Sequence, residues 1–69
     1  MPLPIAPVGE GFTVKKIVAD ERNKRHPENL GITIGTGLTV LSQVGGNVII
    51  RVRDGRLAID RSLAMKILV

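Results

Sequence analysis

The sequence predicts a small all-β domain of 69 residues. Residues 38–60 alternate apolar and polar side chains between two glycine-containing turn signals, which is typical of three consecutive antiparallel strands. Apolar residues make up 43% of the chain, but Phe12 is its sole aromatic residue, so valine, isoleucine and leucine must fill the core. A chain of this length forms one domain, residues 1–69, and buries only about 60% of its unfolded surface. It has no cysteine, which favours a reducing compartment.

The turn after the second of these strands is predicted from Asp54-Gly55. A two-residue turn of type I′ needs positive φ at both central positions, and these residue types tolerate it best. The apolar face then carries Val48, Ile50, Val52, Leu57 and Ile59, and the other face is polar and basic. The expected cross-strand pairs are Arg53 with Arg56, Val52 with Leu57, Arg51 with Ala58, and Ile50 with Ile59.

The turn before that strand contains Gly45 and Gly46. A two-residue loop there would place Leu38 and Val40 opposite arginines. We therefore predict an odd loop, Val44-Gly45-Gly46, with a bulge that brings Val40 opposite Ile50. Leu38, Val40 and Val44 are expected to join the core.

The remaining elements follow from prolines, glycines and apolar spacing. Residues 1–9 predict an extended lead-in anchored by Leu3, Ile5 and Val8. Residues 10–19 predict a first strand with a bulge or bend near Lys15-Lys16, because Ile17 breaks the alternation.

Two short turns and a last strand complete the prediction. Residues 27–31 predict one helical turn that starts at Pro27 and stops at a left-handed Gly31. Residues 61–64 suit a 3-10 turn, and the alternation of Met65, Ile67 and Val69 predicts a final strand. About five strands in this order, with one short helical turn and one 3-10 turn, describe a small SH3-like β-barrel, in which closure removes exposed edges.

Several short motifs, in this order, resemble the ferrous iron transport protein A (FeoA) family along nearly the whole chain. The departure from the family pattern is Pro27, which stands where the family has a longer amphipathic helix. The motifs are Glu10-Gly11, Leu30-Gly31-Ile32 with Gly35, Leu38-Thr39-Val40, Arg56-Leu57-Ala58-Ile59 and the ending Ala64-Met65-Lys66-Ile67-Leu68-Val69.

The resemblance implies a cytoplasmic, non-enzymatic accessory protein of ferrous iron transport. The implied partner is the membrane ferrous iron permease of the same system, through its cytosolic GTPase region. Two alternatives stay open: a small basic nucleic-acid-binding module, and a stand-alone relative of the SH3-like domain of metal-dependent repressors. No stretch approaches the roughly 18 apolar residues of a membrane span, and the N-terminus does not read as a signal peptide.

Catalytic and metal-binding residues are sparse. The single histidine, His26, stands in a charged stretch, and its spacing from Ser42 and Ser62 does not indicate a catalytic triad. A weak contact with Fe²⁺ has one candidate cluster, because imidazole and carboxylate ligands suit that ion. Its members are Asp20, Glu21, His26 and Glu28.

A basic surface is the main candidate site. The chain has ten Lys and Arg against six Asp and Glu, a net charge of +4. The predicted register places Arg51, Arg53 and Arg56 on the outer face of one hairpin, with Arg61 nearby. A partner with carboxylates or phosphates would relieve the repulsion between them. The simpler alternative is a solvated face that opposes aggregation. A nucleic acid is the less favoured partner, because readers of single strands use exposed aromatic side chains.

Overall fold

Short β-strands are the main secondary structure of the residues that the structure describes. The structure, a computed structural model, describes residues 1–18 and 30–69. The elements in chain order are a 3-10 turn (Leu3–Ile5), strands β1 (Gly11–Thr13), β2 (Lys16–Ile17), β3 (Gly37–Val44), β4 (Asn47–Val52) and β5 (Gly55–Asp60), helix α1 (Arg61–Ala64) and strand β6 (Ile67–Leu68).

The strands form two antiparallel sheets over one core. The larger sheet has the order β1-β3-β4-β5, and β2 pairs with β6 in the smaller one. The chain ends meet, because the amino group of Met1 donates to the carbonyl of Val69 at 2.8 Å and Pro2 bridges Leu68. The predicted SH3-like all-β fold is therefore confirmed. The buried core consists of Leu3, Ala6, Val14, Ile32, Leu38, Val40, Val48, Ile50, Ile59, Leu63, Ala64, Ile67 and Val69.

The predicted first strand is divided in two, with the break where a bulge or bend was expected. Val14 donates its backbone N–H to the carbonyl of Thr36 beside β3, whereas Lys15 donates to the carbonyl of Leu68 in β6. The chain thus crosses from the larger sheet to the smaller between these two residues. This crossing explains why the alternation of apolar residues changes phase before Ile17. It gives six strands among the described residues, where about five were predicted for the chain.

The turn between β4 and β5 lies one residue earlier than predicted. Its central residues are Arg53 and Asp54, and Val52 pairs with Gly55. Arg51 therefore faces Arg56, so the expected pair of Arg53 with Arg56 is wrong. The assignment of faces is nevertheless right, because the register differs by two residues and side chains alternate with period 2.

Core packing explains this register. It pairs Val48 with Ile59 and Ile50 with Leu57, whereas the predicted register would place Arg61 opposite the buried Val48. This register strains the backbone of the turn, where Arg53 has a φ of +57°. A left-handed non-glycine residue costs about 1–2 kcal/mol, which is less than the cost of an arginine facing the core.

The turn between β3 and β4 differs from the prediction too, because it is one residue shorter. Gly45-Gly46 forms a two-residue loop and Val44 pairs with Asn47, so the predicted odd loop is wrong. The predicted pair of Val40 with Ile50 is confirmed, because a bulge lies inside β3 between Val40 and Ser42. Past this bulge the alternation is reversed, and Val44 lies outside with 64% of its surface exposed. Its expected place in the core is therefore wrong.

Residues 61–64 form a single turn of α-helix, not the predicted 3-10 turn. The N–H of Met65 donates to the carbonyl of Arg61, which is the i to i+4 bond of an α-helix. Asp60 caps this turn, because its Oδ1 accepts the N–H of Leu63 at 2.8 Å. The capping carboxylate was the signal for an α-turn, and it stands at the last position of β5.

The 3-10 turn lies instead inside the N-terminal lead-in. Leu3 is buried as expected, but Ile5 and Val8 are 62% and 58% exposed, so their predicted anchoring role is wrong. Gly31 has the predicted left-handed conformation, with a φ of +81°. The rest of the helical turn predicted at 27–31, including Pro27, lies outside the described residues apart from Leu30.

Candidate partner-binding site

Three arginines surround the turn between β4 and β5. Arg51 lies on β4, Arg53 is the first central residue of the turn, and Arg56 lies on β5. All three are exposed. Arg51 and Arg56 are direct cross-strand neighbours, a relation that places Cβ atoms about 4.5–5.5 Å apart. We call these three residues the basic patch.

The positive charge of the basic patch is not neutralised by any residue that the structure describes. In the part of the chain that the structure describes, Arg51, Arg53 and Arg56 form no ion pair or side-chain hydrogen bond. Asp54 stands in the same turn but does not pair with Arg53, and Asp60 caps α1 at the opposite end of β5. The patch therefore presents three guanidinium groups with unused donors, which match carboxylate or phosphate oxygens in geometry and charge.

A shallow groove runs beside the basic patch on the outer face of the larger sheet. It is lined by residues 11–13 of β1 and 37–39 of β3, among them Phe12 and Leu38, and Arg51 and Arg53 form one wall. The glycines of the floor contribute no side chains, which leaves the backbone open. We call it the outer groove, and its floor residues are Gly11, Thr13, Gly37 and Thr39.

Arg53 also borders a second depression on the other side of the turn. That depression is lined by Leu30 and Gly31 together with Val52, Leu57 and neighbouring residues of the hairpin. Arg53 thus separates two concave surfaces. The sequence had indicated the arginines by their charge. A further signal, for the outer groove, was the glycine or threonine at alternate outward positions of β1 and β3.

Arg61 does not belong to the basic patch. It is the exposed first residue of α1, and its backbone N–H donates to the carbonyl of Gly46 at the opposite end of the β4–β5 hairpin. Five steps of about 3.3 Å along β5 separate the two ends by roughly 17 Å. The expectation that Arg61 lies near the other three arginines is therefore wrong.

The end of the barrel near Arg61 is apolar where the basic patch is charged. Ile5, Val8, Val44 and Met65 are exposed there or beside it, at 44% to 64% of their surfaces. Gln43 ties this end together, because its Nε2 donates to the carbonyl of Pro4. Sequence reasoning missed these exposed residues because it made Ile5 and Val8 anchors of the lead-in and assigned Val44 to the core. It also placed Met65 in the final strand, which the structure has at Ile67–Leu68.

The candidate metal ligands Asp20, Glu21, His26 and Glu28 lie outside the described residues. Residues 1–18 and 30–69 contain no group of three or more histidine, cysteine or acidic side chains placed to hold a metal ion. Ser62 donates its hydroxyl to Oδ1 of Asp60 at 2.9 Å, which gives this serine a role in capping α1. Among the described helices, none has the length and apolar character needed to cross a membrane.

Comparisons with known proteins agree with one another. A family model described as the FeoA domain matches residues 1–69. A protein of Methanocaldococcus jannaschii described as "Putative Fe(2+) transport protein A" is 43% identical over 68 residues, which cover 99% of this chain and 83% of that protein. The crystal structure of an iron uptake regulatory protein (FeoA) matches with a TM-score of 0.82 at 29% identity, and the match covers 97% of this chain and 91% of that one.

Proposed function

Because this chain belongs to the FeoA domain family, whose members are accessory proteins of ferrous iron transport, we propose that it binds the cytosolic GTPase region of a membrane ferrous iron permease. In this proposal the protein acts in the cytoplasm as a non-enzymatic adaptor. The basic patch is the contact surface.

The observation that carries the proposal is the group of three exposed arginines, Arg51, Arg53 and Arg56, which form no ion pair within residues 1–18 and 30–69. Like charges on neighbouring strands destabilise a sheet, so an isolated patch of this kind lowers the stability of the free protein. Carboxylates of a partner would relieve the repulsion and gain charge-assisted hydrogen bonds. Charged patches of this kind also raise the rate of association with an oppositely charged protein.

The test is a double charge reversal, Arg51→Glu with Arg53→Glu, measured by calorimetric titration with the purified cytosolic region of the permease. Removing the partners of two interfacial charges costs about 2–5 kcal/mol, so the affinity should fall roughly 30-fold or more. The fold should remain intact, because both side chains are exposed.

The matched control is Lys15→Glu with Lys16→Glu, which makes the same change in net charge on two exposed residues where the chain enters β2. It should reduce the affinity only a few-fold through the weaker overall field. An equal loss in both double variants would contradict a local patch. An unchanged affinity in the arginine variant, or no binding by the native protein, would refute the proposed contact.

A further inference from the structure

The backbone of Arg53 suggests that its side chain is needed for binding. Arg53 is the one non-glycine residue with a positive φ among residues 1–18 and 30–69. The register of the hairpin accounts for this conformation, but a glycine would adopt it without strain, so the arginine side chain needs a reason of its own. Among residues 1–18 and 30–69, the guanidinium group has no hydrogen bond or ion pair that supplies one. Its position between the outer groove and the second depression does, because a ligand in either groove would meet it.

The residues around the outer groove suit an extended chain. Its floor includes Gly11 and Gly37, and Arg51 and Arg53 stand two residues apart on its wall. Alternate residues of an extended chain are about 6.6 Å apart, which is also the spacing of alternate side chains in a bound extended peptide. Carboxylates at every second position of such a peptide would therefore match the two guanidinium groups.

The aromatic content of the site argues against two other kinds of occupant. Grooves that bind proline-rich peptides are lined by aromatic side chains, and single-stranded nucleic acids stack on them. Phe12 is the one aromatic residue of the chain, and although it is among the residues that line the groove, it is half-buried and packs against the core. A groove with this single aromatic residue offers no row of rings for stacking. Charge complementarity with carboxylates is therefore the recognition chemistry that this groove offers.

We propose that the outer groove binds an extended acidic segment of the partner, with carboxylates at alternate positions held by Arg51 and Arg53. This inference rests on the proposed function, because the segment would belong to the cytosolic region of the permease. It adds the conformation and charge pattern of the segment, and it assigns Gly37 a role in leaving room for its backbone.

Gly37 allows a test that leaves every charge in place. Its φ is not in the left-handed range, and an added Cβ would come no closer than 4.0 Å to the carbonyl oxygen of Phe12. Gly37→Val should therefore fold well while filling the groove, and valine is favoured in strands. Ala58→Val is the matched control, because Ala58 is exposed on β5, opposite Ile49 and outside the groove.

The probe is a fluorescein-labelled peptide of sequence ETETETETTT, followed by fluorescence anisotropy at low salt. A peptide of the same composition, ETTETTETTE, places successive glutamates on opposite sides of an extended chain. We expect the period-two peptide to bind at least fivefold more tightly than the period-three peptide. Gly37→Val should weaken its binding at least fivefold, and Ala58→Val should change it less than twofold.

Equal affinity for the two peptides, or native affinity in Gly37→Val, would overturn the proposal. Tighter binding of a ten-nucleotide oligouridylate than of either peptide would also overturn it, and would favour a phosphate ligand. The same variants are then titrated with the cytosolic region of the permease. If the native protein binds that region and Gly37→Val binds equally well, the groove fails while the proposed function stands. If the native protein does not bind it, the proposed function fails.

Discussion

The two turns that flank β4 have similar backbones but different residues. Gly45 and Arg53 each occupy the first central position of a two-residue loop, with φ values of +59° and +57°. In neither turn does the second central residue have a positive φ, which is the pattern of a type II′ turn. Glycine is usual at the first position of such a turn, so one turn has the expected residue and the other carries an arginine.

The surroundings of the two turns, which lie at opposite ends of β4, differ as well. The Gly45-Gly46 turn is fastened to the barrel, since the N–H of Arg61 donates to Gly46 at 2.8 Å. The Arg53-Asp54 turn carries one exposed arginine beside two grooves, with Arg51 and Arg56 on the strands next to it. We infer that the first turn has a residue suited to folding, whereas the second retains a strained residue whose side chain serves binding.

The largest change in the free energy of unfolding is expected from a substitution in the Gly45-Gly46 turn. Gly45→Val places a β-branched residue at a φ of +59°, and the free energy of unfolding should fall by about 2 kcal/mol. Urea denaturation measures this loss. Gly46→Ala is the control, because its φ is not positive and its Cβ would meet no atom within 4 Å. A loss below about 0.5 kcal/mol in Gly45→Val would show that the turn is not constrained as described.

The anchoring of the same end gives the second prediction. Asp60→Ala removes the carboxylate that accepts the N–H of Leu63 and the hydroxyl of Ser62, and should lower the free energy of unfolding by about 1 kcal/mol. Asp60→Asn should recover most of this loss, because an asparagine oxygen also caps a helix. Equal losses in both variants, measured by thermal or urea denaturation, would contradict a capping role.

The third prediction reverses the strain in the other turn. Arg53→Gly should raise the free energy of unfolding by about 0.5–1 kcal/mol, since relief of the left-handed conformation exceeds the entropy cost of glycine. The same variant should bind the permease region more weakly. Arg53→Ala separates the two effects, because alanine retains the strain but loses the guanidinium group. A less stable Arg53→Gly protein would refute the strained-turn interpretation.

The smallest effect concerns the cross-strand arginine pair. Arg56→Thr should raise the free energy of unfolding by roughly 0.2–0.5 kcal/mol, because it removes the repulsion with Arg51 and threonine suits a strand. The gain should shrink as salt is added, since exposed charges are screened. If the gain in the free energy of unfolding does not depend on salt, it comes from the strand propensity of threonine and not from the loss of repulsion.

The sequence was sufficient for the fold class and for the apolar face of the β4–β5 hairpin. Alternation specifies which face of a strand is buried, so the burial of Val48, Ile50 and Ile59 followed from the pattern. Turn chemistry was less informative. Asp54-Gly55 is a strong local signal, yet tertiary packing of Val48 against Ile59 moved the turn by one residue.

Bulges and chain crossings limited the prediction of the site. A bulge within β3 reverses the alternation after Val40, and this reversal placed Val44 outside. The grouping of Arg51, Arg53 and Arg56 survived, because a shift of two residues preserves faces. Arg61 was misplaced because it follows Arg56 by only five residues in the sequence. Those five residues run along the extended strand β5 and so separate the two side chains by roughly 17 Å. The outer groove needed the pairing of β1 with β3, which the sequence did not specify.

A ¹⁵N–¹H spectrum of the protein, recorded during titration with the cytosolic region of the permease, tests directly whether the basic patch and the outer groove form the contact surface. We predict that chemical shifts change most at the amides of 11–13, 37–39 and 51–56, and little at Ile5, Val44 and Met65. Changes concentrated at those three apolar residues, with the Arg53-Asp54 turn unaffected, would rule out the basic patch as the contact surface. They would place the partner at the opposite end of the barrel.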